Sequence, residues 1–308
     1  MKEISYLTIL FFLVIQTSNA QTYFEVEKDF NCKCGTFTKT LSELKIYLEE
    51  EINEVFNHII VYSGMTFSYP QGGCQQRAQM MHRILEKKEI QHSKIWLFAP
   101  IILDHSDKRQ LEINDPNDLV PDDKIYWGYH VAPSVLTKSS TGIVDTLVID
   151  PSISLEKPLK LKEWFSKINN STISKFTFLD SKYYFFNTQP KSDGTGNTTV
   201  INGFFYPYKD VENMTDTFDN AVVERELAVN DVAVFLLQRL EGGYEDSDGQ
   251  IKLLLGNVED MIGLFAPQQR FNSFQVTNMR NLLETHGPLI DEAMDFYHGR
   301  VLHWLKVK

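Results

Sequence analysis

Residues 66–81 read Thr66-Phe67-Ser68-Tyr69-Pro70-Gln71-Gly72-Gly73-Cys74-Gln75-Gln76-Arg77-Ala78-Gln79-Met80-Met81. The β-branched and aromatic residues of 57–67 suit a short strand. Tyr69-Pro70-Gln71-Gly72-Gly73 then breaks the chain. From 74 to 88, Ala78, Met81 and Leu85 fall on one stripe at helical spacing. Cys74 therefore opens a helix directly after a Gly-Gly turn. The partial positive charge at a helix N-terminus stabilises a thiolate, which makes Cys74 the candidate nucleophile.

Upstream, 40–59 carries Leu41, Leu44, Tyr47 or Leu48, Ile52, Val55 or Phe56, and Ile59 at helical intervals, and 21–39 is polar and expected to be irregular. Residues 1–20 read as a secretory signal. Lys2 precedes the apolar run LTILFFLVI at 7–15, and Ser18 and Ala20 are the small residues before a cleavage point at Gln21. The run is shorter than the roughly 18 residues a spanning helix needs, so a secreted or periplasmic chain with no membrane span is expected. Downstream, 93–100, 124–136 and 142–150 read as strands, the last ended by Pro151, with a hairpin turn at 138–141 between the second and third. A short helix is expected at 159–168 and a further strand at 176–186. The intervening 104–123 holds seven acidic and two basic residues and two prolines, and is read as a polar loop. The order predicts an α+β domain over 40–189, with an antiparallel sheet packed on the Cys74 helix. The segment 190–202 (PKSDGTGNTTVIN) is read as a linker. An all-α C-terminal domain follows over 203–308, with helices at 216–240, 251–265, 275–284 and 289–306.

Composition narrows the function classes. The 308 residues are 43% hydrophobic and 23% charged, a globular profile with material for a core. With 41 acidic against 30 basic residues the net charge is −11, which repels phosphate and excludes nucleic acid as an expected partner. The three cysteines, Cys32, Cys34 and Cys74, form an odd set. A local Cys32–Cys34 bridge or reduced thiols both remain open, and Cys74 is the thiol left without a partner. No histidine-rich segment adjoins them and no HExxH helix exists, so neither a metal nor another cofactor is expected.

A cysteine nucleophile needs a base and a group that orients it. His130 lies mid-strand in Tyr129-His130-Val131, and Asp150 ends the next strand in Val148-Ile149-Asp150-Pro151. On adjacent antiparallel strands the carboxylate can meet one imidazole nitrogen and fix the tautomer. Each residue alone has an ordinary structural reading; their order and context together point to Cys-His-Asp chemistry. The 66–81 segment resembles the nucleophile segment of bacterial protein-glutaminases. Tyr129-His130-Val131-Ala132 and Ile149-Asp150-Pro151-Ser152 are similar to that family's His and Asp motifs. The resemblance covers about 40–187. It implies a papain- or transglutaminase-like core with Cys74 as nucleophile, His130 as general base and acid, and Asp150 as orienter. It implies hydrolysis of the side-chain amide of protein-bound glutamine, with proteins or peptides bearing exposed glutamine as substrates. A transglutaminase or cysteine protease on the same residues, or a non-catalytic exported interaction protein, are the competing readings. The family carries an N-terminal pro-segment over its site. Here 203–308 is the segment expected to take an autoinhibitory role.

Overall fold

The computed structural model describes residues 24–25, 41–104, 106–190, 198–205, 221–266 and 276–307. The signal segment 1–20, Cys32 and Cys34 lie outside them. In chain order the elements are β1 (Phe24–Glu25), a 3-10 turn (Leu41–Glu43), β2 (Ile46–Leu48), α1 (Glu49–Tyr62), α2 (Cys74–Lys87), β3 (Ser93–Phe98), α3 (Pro100–Leu103), β4 (Leu111–Asn114), β5 (Lys124–Trp127), β6 (Tyr129–Lys138) and β7 (Val144–Val148). There follow β8 (Leu159–Lys160), α4 (Leu161–Ser166), a second 3-10 turn (Ser171–Ile173), β9 (Lys175–Asp180), β10 (Tyr183–Pro190), β11 (Thr198–Phe205), α5 (Val222–Glu241), α6 (Gln250–Gly256), α7 (Val258–Phe265) and α8 (Val276–Trp304).

The main sheet runs β1-β9-β3-β6-β7-β8, with β2 also on β6. Its pairs β3–β9, β3–β6, β6–β7 and β7–β8 are antiparallel, while β1–β9 and β2–β6 are parallel. The mixed α/β architecture with antiparallel pairing follows from the strand readings. Every residue of β3 is buried, as expected of a central strand covered on both faces. One face meets α2 through Ala78, Trp96, Phe98 and Val131. The other carries Ile95, Leu97, Ala132 and Trp164.

Several readings change. Within 21–39, expected to be irregular, Phe24–Glu25 form a short strand paired with β9. The strand expected at 57–67 does not form. Its Ile59, Ile60, Val61 and Tyr62 belong to α1, where Ile52, Phe56 and Ile59 form the buried stripe and Val61 and Tyr62 face solvent. The helix expected from 40 begins only at Glu49, because 46–48 add a parallel strand to β6. The polar loop 104–123 contains β4, paired with β5 from Leu111↔Trp127 to Asn114↔Lys124. Asp115 closes the turn after it by accepting the backbone N–H groups of Asn117, Leu119 and Val120. Within the expected linker, Pro190 and residues 198–202 belong to paired strands, since β10 and β11 pair antiparallel out to Pro190↔Thr198, and 191–197 lie outside the described residues.

The C-terminal helices do not enclose a core of their own. Leu227, Val232, Leu236, Leu289, Ile290 and Trp304 share one hydrophobic cluster with Ile52, Phe56, Met80, Met81 and Leu85 of α1 and α2. The two helices read at 275–284 and 289–306 run on as α8, kinked at His286 ahead of Pro288. No helix among the described residues is long and apolar enough to cross a membrane.

Candidate active site

The site is built where α2 begins and where β6 and β7 open at one end of the sheet. Gly73 caps α2 at φ +79°, a left-handed conformation that costs glycine little. The first intrahelical bond is Arg77 N–H to Gly73 C=O at 2.9 Å, which leaves the amides of Cys74, Gln75 and Gln76 without intrahelical acceptors. Cys74 is therefore the first helical residue, with the positive end of the helix dipole behind its half-buried thiol.

The turn before it is tied from four directions. Buried Arg77 reaches back to donate to the carbonyls of Tyr69 (3.3 Å) and Gly72 (2.7 Å). Trp127 Nε1–H donates to the Pro70 carbonyl at 3.1 Å. Asn117 Nδ2 donates to the Ser68 carbonyl, and Gln71 Nε2 to the Asp115 carboxylate at 2.9 Å. Tyr69 donates its hydroxyl to the Leu255 carbonyl at 2.7 Å. The acidic segment read as a plain loop thus braces the Cys74 turn.

His130 stands opposite Leu97 on β6, and Asp150 lies two residues beyond the end of β7. Ile149 still donates to the Pro133 carbonyl, so the chain stays beside β6 long enough to bring Asp150 to the imidazole. His130 Nε2 and Asp150 Oδ2 are 2.7 Å apart, both groups nearly fully buried. The same carboxylate oxygen accepts Trp164 Nε1–H at 2.8 Å. The ring of His130 lies between two indoles: Trp127 at 4.5 Å and 9° between planes, and Trp164 at 5.7 Å and 23°. Nδ1, the remaining ring nitrogen, is buried with no hydrogen bond of good geometry, and Cys74 is the thiol that acts on this ring.

Burial alone would push the His130 pKa down. The Asp150 charge and hydrogen bond, joined by Cys74, reverse this and raise it to about 9. For Asp150, burial opposes ionisation, but His130, the Trp164 hydrogen bond and Arg77 hold its pKa below the usual carboxylate value. The charged Asp150–imidazolium arrangement is therefore favoured at neutral pH.

All three residues singled out in the sequence come together here. Sequence reading missed Trp127, Trp164 and the turn-binding role of Arg77. The clustered aromatics of 124–136 were visible as strand formers, but nothing in their spacing marked a ring-stacking role. Among the described residues no group of three or more His, Cys, Asp or Glu is disposed to hold a metal. A cleft of about 500 Å³ opens next to the site, between Phe67, Pro70 and Asn117 on one side and Pro151, Leu155 and Lys157 on the other.

Residues 52–168 match the family model described as Glutaminase. The matched segment contains Cys74, His130 and Asp150. No curated protein matches the chain. Among solved structures, the chain is similar to protein-glutaminase from Chryseobacterium proteolyticum, at 20% identity over 51% of this chain and 81% of that one, with a TM-score of 0.36. A crystal structure of pro-protein-glutaminase aligns at 18% identity over 63% of this chain and 62% of that one, with a TM-score of 0.41.

Proposed function

We propose that this chain is a protein-glutamine deamidase, an amidohydrolase that converts protein-bound glutamine to glutamate and ammonia. One observation carries the reading. The segment matching a glutaminase family holds a cysteine at a helix start, and His130 has one nitrogen bonded to Asp150 and the other available to that cysteine. In this reading the core is papain- or transglutaminase-like.

The Cys74 thiolate attacks the carboxamide carbon of a glutamine side chain. The developing oxyanion is met by the backbone N–H of Cys74, free of intrahelical bonds at the helix start. The carbon–nitrogen bond breaks as the His130 imidazolium gives its proton to the leaving nitrogen, and ammonia departs. Water then attacks the thioester, neutral His130 takes its proton, and the carbon–sulfur bond breaks to release glutamate and the thiolate. Asp150 holds the ring in one tautomer and stabilises its charged form, and the two indoles fix its plane and favour the cation. None of these steps calls for a metal or cofactor. The 500 Å³ cleft offers room for polypeptide flanking the target residue. Export to the periplasm or medium is part of the proposal and rests on the 1–20 segment.

The test is ammonia release from casein by residues 21–308, set beside Cys74→Ala, with a gel for chain cleavage. The expected result is ammonia that depends on Cys74 with casein left whole. Cleaved chains would replace this reading with a protease, and ammonia only in the presence of an amine acceptor with cross-linked product would replace it with a transglutaminase.

A further inference from the structure

Helix α5 presents two polar side chains, Glu226 and Asn230, one turn apart and so on the same face, to the start of α2. Asn230 lies on Gly73: a Cβ placed on that glycine would meet the Asn230 side chain at 2.3 Å. The Glu226 carboxylate accepts a hydrogen bond from the Gln76 side-chain amide and another, at 3.3 Å, from the Tyr184 hydroxyl. Tyr184 in turn accepts from Gln75 Nε2 at 3.3 Å and Gln76 Nε2 at 3.0 Å, and Gln75 Oε1 accepts the Tyr129 hydroxyl. The contacts at Gly73 and Gln76 bracket Cys74 within a single helical turn. The charges of both Cys74 and Glu226 bear on the Tyr129 hydroxyl, which is pushed well above its ordinary pKa chiefly by burial. A carboxylate is thus anchored on the turn of α2 that Cys74 opens, and it comes from outside the segment that matches the glutaminase family.

Substrate and product of the proposed reaction differ at the reacting carbon by one charge: a neutral carboxamide against a carboxylate. We propose that Glu226 is a specificity-determining residue that sets the charge preference at Cys74, disfavouring carboxylates relative to carboxamides. For its substrate this rests on the deamidase reading. The consequence is that a newly formed glutamate is expelled and glutamate side chains of a client protein are kept off the thiol. His130 and Arg77 place positive charge near the same thiol, so the diagnostic is the change on removing Glu226, not the absolute preference.

The experiment uses two alkylating reagents of nearly equal size, iodoacetamide and iodoacetate, on the full chain and on Glu226→Gln. Modification of Cys74 itself is followed by mass spectrometry of its peptide. Removing this unit charge is expected to raise the iodoacetate rate relative to iodoacetamide by about threefold or more. Glu226→Asp, which keeps the charge, is expected to stay near the wild-type ratio. An unchanged ratio in folded Glu226→Gln overturns the proposal. If that variant does not fold, Glu226→Ala takes its place, and an unchanged ratio there overturns it. Because alkylation needs no turnover, a shifted ratio without ammonia from casein would retain the charge role and discard the substrate.

Discussion

His130 is gripped through every part of its ring. Two indoles cover its faces, Asp150 holds Nε2, and Nδ1 is left for Cys74. Its proton is bound more tightly in the folded chain than in an unfolded one, where the ordinary value is 6.5; here it rises to about 9. The stability this contributes is complete below the ordinary value and is lost as pH climbs through about 9. In the proposed reaction the imidazolium that protonates the leaving nitrogen disappears over the same window, so the alkaline limb of kcat/KM is expected near pH 9. Replacing Asp150 with Asn removes the charge that raises the ring, and should move that limb down by about 1 to 3 pH units in a profile of ammonia release. A limb that stays in place would mean that Asp150 does not act on the proton-transfer group.

At the scale of elements, α2 is held between the sheet and α5. Arg83 of α2 and Glu224 of α5 form a 2.6 Å ion pair, both side chains more than nine-tenths buried. Cutting one partner leaves the other charged in a desolvated place, so Glu224→Ala is expected to lose about 3–5 kcal/mol in urea melts. Changing both to apolar residues of similar volume should recover most of that loss. The strength of α2 was legible in the sequence, from the breaker cluster before it and the Ala78, Met81, Leu85 stripe within it. So were β3, the β6–β7 hairpin and the His130–Asp150 approach, because antiparallel neighbours with a short turn leave little freedom. The stretch 46–62 was misread because apolar spacing cannot tell where a helix stops borrowing from an adjacent strand. Leu48 fits the helical stripe, yet it pairs with Lys138 of β6. Strand β4 was hidden for a related reason: Leu111 and Ile113 alternate over only four residues inside an acidic run.

The whole molecule is where the sequence was least informative. Polarity and turn formers at 190–202 suggested a boundary, and helical periodicity after it suggested a second unit. Nothing local reveals that Ile52, Phe56 and Met81 lack cover until α5 and α8 arrive. An autoinhibitory 203–308 implies that removing it raises turnover. The shared core implies the opposite. A chain ending at residue 205 would expose the apolar faces of α1 and α2 and is expected to lose cooperative thermal unfolding and ammonia release together. A folded truncated chain with higher turnover would restore the autoinhibitory reading.

Gly72 and Gly73 fit beneath Val258 and Asn230, residues encoded far later in the chain. Synthesis delivers the nucleophile early and the surfaces that seat its turn late. A nascent chain thus carries Cys74 for most of its elongation without the packing that shapes its surroundings. The turn that carries the thiol acquires its full packing only once α5 and α7 have been made.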